Sequence, residues 1–447
     1  MKRLTAFILC LAMIFALAAC TAAPAADDGK KTETTDQTTT NTPTEAEKPA
    51  EENSLAGKKI EMATRTSGKS NELLTALIAQ FKEETGIEVV LTTYNADDYE
   101  SALKTRMASN ELPDVWETHG WSRLRYGEYL YPVNDEPWYA NESDLAKGIL
   151  TGDGDTAYAL MLTTSVLGVV CNKTAAEAAG IDVYAINTLD DFTAACQTAV
   201  DAGLVPMVNH SSAGDLTHIA GVFTTYDDEI ANDMAAQLDG TWDWEDFMLE
   251  LHYFSNLIDM GAYWEDRSTM DSTADIERLA TGKSLFYFAN SSSYIAKLHD
   301  LNPDAEFVMI PFPAASETAK RYIAGGEGYA VGANKDSAEL DAARAWLSFL
   351  SENGGELAQS YSGISCISTA PRNEDDYGAS AGYDVLDKYT DVEFVNMWDR
   401  EYMPSGMWGS FGEAAGMFYA DNSEENLVAI KDFLHDNYLE KYAAAHG

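Results

Sequence analysis

Apolar residues in this chain occur in two patterns, short compact runs and longer stretches with the 3.6-residue spacing of a helix. The compact run at 58–64 is followed by a stretch whose apolar residues between 73 and 81 fall on one helical face, and that stretch ends at Gly86. A second compact run follows at 87–93. The order strand, helix, strand predicts a parallel βαβ unit, and the chain is therefore expected to have an α/β fold.

Several later apolar runs end abruptly in polar loops. The run at 284–288 ends in the polar segment 289–293, and the run at 204–208 ends in an Asn-His-Ser-Ser sequence. The run at 306–310 ends in Pro-Phe-Pro, where the chain must leave the sheet because proline donates no ladder hydrogen bond. The segment 323–331 then brings three glycines and a carboxylate to another strand. Because ligands of open α/β sheets bind at the ends of such strands, these loops predict a binding site.

The amino terminus has the pattern of a bacterial lipoprotein signal. Three residues including Lys2 and Arg3 precede an apolar stretch too short for an ordinary transmembrane helix, and the sequence Leu-Ala-Ala-Cys ends at Cys20. This sequence resembles a lipobox, which predicts a signal peptide at 1–19 and a lipid anchor on Cys20; a plain secretory signal is the alternative. The segment 20–54 has almost no bulky apolar residue and is expected to be a disordered tether.

Charge and cysteine content exclude several classes of function. The formal charge is −44, with 29 Lys and Arg against 73 Asp and Glu, so no nucleic acid is expected as a partner. The same charge leaves a cationic ligand open. Cys171, Cys196 and Cys366 are widely separated and form no metal-binding motif, so we expect buried cysteines, no metal and no cofactor. The sequence 67–70 resembles part of a P-loop, but the first glycine of that motif is missing.

Six motifs occur in the same order as in a known family. The phrase Asn-Glu-Leu-Pro-Asp-Val at 110–115 is the most specific of them. Together they resemble the family 1 extracellular solute-binding proteins of bacterial ABC importers, which are relatives of maltose-binding protein. The other motifs lie at 156–173, 179–182, 187–192, 281–284 and 325–350.

The chain also departs from the family pattern at four places. Ala159 replaces a proline, Cys171 a tyrosine and Leu189 a tryptophan, and the segment 290–293 replaces a glycine-tryptophan pair. The last departure falls on a predicted site loop, so the ligand is expected to differ from the commonest sugars of the family.

The resemblance implies a fold and a function. The fold would be α/β, a two-lobed periplasmic-binding-protein fold of the type II-like class, with hinge crossovers and a ligand cleft between the lobes. The first lobe would comprise 55–162 and 315–363, and the second 163–314 and 364–447. The protein would be a monomeric lipoprotein on the outer face of the cytoplasmic membrane, capturing an oligosaccharide for an ABC permease without catalysing a reaction. A polyamine or other small polar solute, or a surface carbohydrate-active enzyme with two carboxylates, is the alternative.

The candidate ligand-binding residues combine aromatic rings, which pack on sugar rings, with polar groups that bind hydroxyls. Trp408 is the position that matches the sugar-stacking aromatic of the family. For each candidate, a surface loop or a packing role is the alternative. The candidates are Arg65, Glu117, Trp121 and Glu327 in the first lobe, Asn209, His210, Asn290, Ser292, Trp408 and Phe411 in the second, and Tyr158 near the crossing.

Overall fold

The structure is a computed structural model. It describes residues 54–446 except 121–122, 153, 211–215, 217–239, 243, 246, 316–318, 398 and 401–402, and it does not describe the side chain of Glu327. The predicted signal peptide, Cys20, the tether and Trp121 therefore lie outside the described residues.

Within that part of the chain, nine strands form one mixed sheet. The order is β2-β1-β3-β7-β4-β5, with β6 and β8 paired to β4 and with β9 paired to β7. The first three strands are parallel to one another, whereas β4 and β7 run antiparallel to each other. The strands are β1 Lys59–Thr64, β2 Glu88–Thr93, β3 Val115–Thr118, β4 Leu160–Asn172, β5 Phe286–Ser291, β6 Phe307–Ile310, β7 Tyr322–Ala333, β8 Ile364–Ser365 and β9 Glu393–Asn396.

The helices cover the sheet, and their ends follow local sequence signals. The first helix ends at Gly86, which adopts the left-handed conformation with φ of 73°, and the sixth begins with a capping box between Thr188 and Asp191. None of the described helices is both long and apolar enough to cross a membrane. The helices are α1 Gly68–Thr85, α2 Ala96–Ser109, α3 Arg123–Tyr126, α4 Asp144–Thr151, α5 Lys173–Ala178, α6 Leu189–Asp201, α7 Phe247–Asp259, α8 Ser272–Ala280, α9 Tyr294–Leu301, α10 Leu340–Asn353, α11 Gly355–Gln359, α12 Tyr377–Lys388, α13 Met407–Ala420 and α14 Glu424–His446, with 3₁₀ turns at Pro137–Asn141 and Val183–Ala185.

The long strands β4 and β7 pass from one hydrophobic core to another. Leu160 and Met161 of β4 belong to a core with Phe81 and Trp346, whereas Val169 belongs to a core built around α6, α7 and α13. Between these cores the two strands approach closely, and a Cβ on Gly328 would lie 1.9 Å from the carbonyl oxygen of Thr163. Only glycine fits this crossing of the chain.

Much of the predicted secondary structure is confirmed. The first βαβ unit is present with parallel β1 and β2, and Cys171, Cys196 and Cys366 are buried and free. The predicted strand at 204–208 is wrong: Met207 makes only isolated bridges, because Pro206 interrupts the ladder.

Two boundaries also differ from the prediction. Strand β5 extends to Ser291, so the predicted polar loop begins inside the strand. Helix α13 begins at Met407 rather than after Glu413, because Met407, Phe411 and Phe418 have helical spacing and are buried in one core.

Candidate functional site

A cavity of about 460 Å³ lies where β3, β4, β5 and β7 meet. Its walls come from distant parts of the sequence: the loop after β1, the middle of β4, the end of β5 with the start of α9, and the segment 361–363. Hydroxyl, amide and tyrosine side chains predominate among the described lining residues. The cavity therefore offers many hydrogen-bonding groups together with flat aromatic surfaces.

Glu117 at the end of β3 organises one wall. Its side chain is almost fully buried, and it accepts hydrogen bonds from the Thr66 hydroxyl at 2.9 Å and the Arg65 backbone N–H at 3.0 Å. The hydroxyl of Thr64 and the Arg65 Nε, at 3.4 Å, also donate to it. A buried carboxylate with this many donors is stabilised in its position, and its charge is balanced by the Arg65 guanidinium.

His119 lies beside this pair, and sequence analysis did not include it among the candidates. Its Nε2 is 2.5 Å from Nη2 of Arg65, and the ring also bonds to the backbone of Gly328. Burial, followed by the positive charges of Arg65, Arg400 and Arg125, holds the pKa of His119 well below its usual value. His119 is therefore neutral at physiological pH, and it accepts a hydrogen bond from Arg65.

A β-bulge shapes another wall of the cavity. The register of β5 against β4 shifts between Gly168 and Val170, and Ala289 in the bulge has a φ of 60°. Bulges of this kind turn a strand and redirect its side chains, and left-handed backbone at a non-glycine residue is uncommon. The bulge brings Asn290 and Ser291 to the cavity, where the Asn290 Oδ1 accepts the Ser291 N–H at 2.6 Å.

Three tyrosines complete the lining. Tyr287 and Tyr294 contact edge to face with ring centroids 5.7 Å apart, and the Tyr361 hydroxyl lies 2.9 Å from the Thr66 hydroxyl. These rings add flat apolar surface to a lining that is otherwise polar.

The structure thus brings Arg65, Glu117 and Asn290 together at one cavity. Three other candidates are directed elsewhere. The amide of Asn209 donates to the Phe288 carbonyl at 2.8 Å and accepts the Phe288 N–H at 3.0 Å, so its polar atoms hold β5. Ser292 is fully buried outside the cavity lining, and Phe411 packs in a core against Trp244.

The remaining described candidates, Tyr158, His210 and Trp408, do not line the cavity. Tyr158 shares a small pocket of about 10 Å³ with His119, and His210 lies with its Nδ1 2.5 Å from Oδ2 of Asp275. Trp408 is 39% exposed, and its ring centroid lies 4.3 Å from the guanidinium carbon of Arg400. The positive charge of Arg400 also helps to lower the pKa of His119. Trp121 and the Glu327 side chain are outside the described residues.

Comparison with known proteins agrees with this architecture. The family model described as bacterial extracellular solute-binding protein matches residues 76–375, and the chain belongs to that family. The melibiose/raffinose/stachyose-binding protein MelE of Bacillus subtilis is 26% identical over 379 residues, covering 80% of this chain and 84% of MelE. This family and this relative are binding proteins, and the expected family resemblance is confirmed.

Two solved structures are also similar. A binding protein named MsmE from Bacillus subtilis, in an open conformation, is 25% identical with a TM-score of 0.79, covering 88% of this chain and 99% of that one. A sugar transporter protein from Bacillus licheniformis in complex with stachyose is 25% identical with a TM-score of 0.71, covering 86% and 99%. These relatives confirm the two-lobed α/β fold class.

Proposed function

We propose that this protein captures a neutral oligosaccharide in the cavity of about 460 Å³ and delivers it to the membrane subunits of an ABC importer. The observation that carries the proposal is the charge balance of the lining. Among the described lining residues, Arg65 and Glu117 are the charged side chains, they pair with each other, and His119 is neutral. A cavity without net charge, rich in hydroxyls and tyrosines, suits an uncharged polyhydroxylated ligand.

The same balance argues against a polyamine. A cationic ligand needs carboxylates that lack a partner, and Glu117 already accepts hydrogen bonds from Arg65, Thr64 and Thr66. The overall charge of −44 therefore does not extend into the described lining of this cavity.

The described lining also favours capture without chemistry. A glycosidase of the usual kind needs two carboxylates on either side of the scissile bond. Glu117 is the one carboxylate among the described lining residues, and it is buried against Arg65. The oligosaccharides named for MelE and for the stachyose complex support the choice of ligand class.

We further propose how the molecule works in transport. The two lobes would be 55–162 with 315–363 and 163–314 with 364–447, and β4 and β7 would carry the chain between them. Ligand held by both walls would favour the closed arrangement, which the permease then recognises. Cys20 would hold the protein by its lipid at the outer face of the cytoplasmic membrane. Trp121, Glu327 and Trp408 remain proposed ligand contacts.

Thermal melting of the full chain against melibiose, raffinose, stachyose and spermidine tests the proposal. A ligand at a hundred times its dissociation constant stabilises the folded state by about 2.7 kcal/mol, which raises the melting temperature by several degrees. We expect this shift with an oligosaccharide, and we expect chromatography to recover that sugar intact. If spermidine alone raised the melting temperature, the ligand would be a polyamine rather than an oligosaccharide. If the sugar were recovered in cleaved form, the protein would be an enzyme.

A further inference from the structure

A second cavity, of about 670 Å³, adjoins the first. Its walls are the end of α10 (Leu340–Asn353), α11 (Gly355–Gln359), the 3₁₀ turn at Pro137–Asn141 and the segment after β8. Among their described lining residues, the two cavities share Thr163 and Gly363 and no others. Small-molecule sites occupy roughly 300–1,000 Å³, so the second cavity is large enough for a ligand of its own.

The charge of the second cavity differs from that of the first. Glu352 and Glu356 are the charged side chains among its described lining residues, and neither forms an ion pair within the described part of the chain. In the first cavity, by contrast, the guanidinium of Arg65 lies 3.4 Å from the carboxylate of Glu117. The described lining of the second cavity therefore carries two negative charges that no side chain balances.

The end of helix α10 adds to this negative potential. The last carbonyl groups of a helix form the negative end of its dipole, where a basic side chain is favourable. Helix α10 has no basic residue in its last turn, and Ser351, Glu352 and the cap residue Gly354 line the cavity. Helix α11, which follows directly, also lacks a basic residue in its last turn. The helix end therefore favours a positive charge that the two helices do not provide.

Basic residues near these walls in the sequence are bound elsewhere. Arg372 belongs to the segment after β8, but its guanidinium is held by Asp387, with Nη2 3.0 Å from Oδ1. Lys147 follows the 3₁₀ turn, and its ammonium donates to the carbonyl of Ala140 at 3.3 Å. Neither side chain is among the described lining residues. A positive charge in this cavity would therefore have to come from a ligand.

The rest of the lining suits an organic ligand rather than a bare ion. Trp138, which is 4% exposed, forms an apolar wall with Pro137 and Pro371, and the amides of Asn141 and Gln359 add hydrogen-bonding groups. Methylene groups can pack on such a wall, and a cation gains attraction near an indole ring. Ammonium groups donate strong hydrogen bonds to carboxylates. The same charges disfavour an anion.

We propose that the second cavity is a binding site for a small organic cation of the polyamine kind, separate from the oligosaccharide site. Glu352 and Glu356 accept hydrogen bonds from its ammonium groups, and the apolar wall at Trp138 receives its methylene chain. The overall charge of −44 raises the concentration of such a cation near the protein. The proposal does not depend on the proposed function, because it concerns another cavity and other charged groups.

Titration calorimetry of the full chain with spermidine tests the proposal, at an ionic strength of about 0.15 M so that long-range attraction is screened. We expect one spermidine to bind per chain. Glu352→Gln combined with Glu356→Gln should weaken this binding at least tenfold, because both acceptors lose their charge. Both side chains are exposed, so the melting temperature of this double variant without ligand should stay close to that of the wild type.

Glu83→Gln combined with Glu84→Gln is the matched control. It removes the same charge from two exposed positions of helix α1 that do not line the second cavity. Spermidine should bind this variant within twofold of the wild-type affinity. Equal weakening in the two double variants would show that spermidine responds to net charge alone. That result, an unchanged affinity in the Glu352→Gln and Glu356→Gln variant, or no binding to the wild type would overturn the proposal.

A titration in the presence of stachyose tests whether the two sites are separate. Spermidine should still bind one per chain when the protein is saturated with stachyose, and displacement of one by the other would contradict a second site. A rise in melting temperature with spermidine that persists in the Glu352→Gln and Glu356→Gln variant would also contradict it, because the cation would then lie elsewhere. Failure of every oligosaccharide to bind the wild type would count against the proposed function alone, since the variants are compared with spermidine.

Discussion

At the scale of single residues, the cavity depends on charges that neutralise one another. Arg65 lies between Glu117 and His119, so one guanidinium serves a buried carboxylate and a neutral imidazole. The Glu117 carboxylate fixes the position of the Arg65 guanidinium through their ion pair. The positive charge of Arg65 in turn disfavours protonation of His119. The wall is consequently preorganised before any ligand enters.

Substitution of Glu117 tests this balance. In Glu117→Gln the Arg65 charge loses its partner, and we expect the affinity for an oligosaccharide to fall at least tenfold, equivalent to about 1.4 kcal/mol, because the guanidinium moves away from its present position. Titration calorimetry at pH 7 measures this change. Glu177→Gln, which removes an exposed carboxylate paired with Lys173, is the control and should bind as the wild type does. An unchanged affinity in Glu117→Gln would contradict the proposed role of the pair.

His119 gives a prediction about pH. The pKa of the folded-state imidazole lies well below its unfolded value, so below pH of about 6.5 the unfolded chain binds a proton that the folded chain excludes. The free energy of unfolding is therefore unaffected by this histidine above that pH. It decreases as the pH falls below about 6.5 toward the folded-state pKa of His119.

Urea unfolding should show a free energy that decreases less between pH 7 and pH 5 in His119→Gln than in the wild type. If the free energy of unfolding of His119→Gln depends on pH as that of the wild type does, the pKa of the buried His119 is not lowered in the folded protein.

At the scale of elements, strands β4 and β7 determine where the cavity lies. Both strands contribute to more than one hydrophobic core, and the register between them shifts twice near Thr163 and Thr164. These shifts fall beside the cavity, which Thr163, Thr164 and Gly328 help to line. At this crossing side chains bridge the irregular pairing, because the Thr163 hydroxyl donates to the Ile364 carbonyl at 2.8 Å and the Thr164 hydroxyl accepts the Gly326 N–H at 3.1 Å.

Gly328→Ala tests the crossing. The added methyl group would lie 1.9 Å from the Thr163 carbonyl oxygen, so β4 and β7 must separate, and we expect the free energy of unfolding to fall by about 3 kcal/mol or more. Gly148→Ala is the matched control, because no atom lies within 4 Å of its added Cβ and the site is inside helix α4. That control should be stabilised by about 0.5–1 kcal/mol. Equal stability of the two variants in urea would refute the close approach.

At the scale of the whole molecule, the family and the fold place this chain among extracellular binding proteins. Its strongly negative net charge favours solubility rather than ligand binding, since the charges in the described lining of the cavity are balanced. The proposed tether at 20–54 would separate the folded part from the membrane while leaving it free to meet a permease.

Cys20→Ala tests the proposed anchor. Without the cysteine no diacylglycerol can be attached, so we expect the protein to move from the membrane fraction to the soluble secreted fraction of its host, with sugar affinity unchanged. Immunoblots of the two fractions measure the distribution. Cys196→Ser, a substitution in the folded part, should leave the protein in the membrane fraction; retention of Cys20→Ala there would show that another segment anchors it.

The sequence by itself determined the class of fold, the order of the early elements and the family. These features depend on local patterns, such as the helical face that ends at Gly86 and the Leu-Pro-Asp-Val motif. Such patterns can be recognised without knowledge of the tertiary contacts. Local patterns also indicated Arg65, Glu117 and Asn290 as polar groups at strand ends, and these lie at the cavity.

Only the tertiary structure decided which polar groups face that cavity. Asn209 follows an apolar run just as Asn290 does, yet its amide is bonded to the backbone of β5. Phe411 lies three residues from the exposed Trp408 and is buried, because helix α13 turns it into a core. His119 gained its role from Arg65, a partner distant in sequence. Such pairings depend on how strands and helices pack, and no local pattern of residues encodes them.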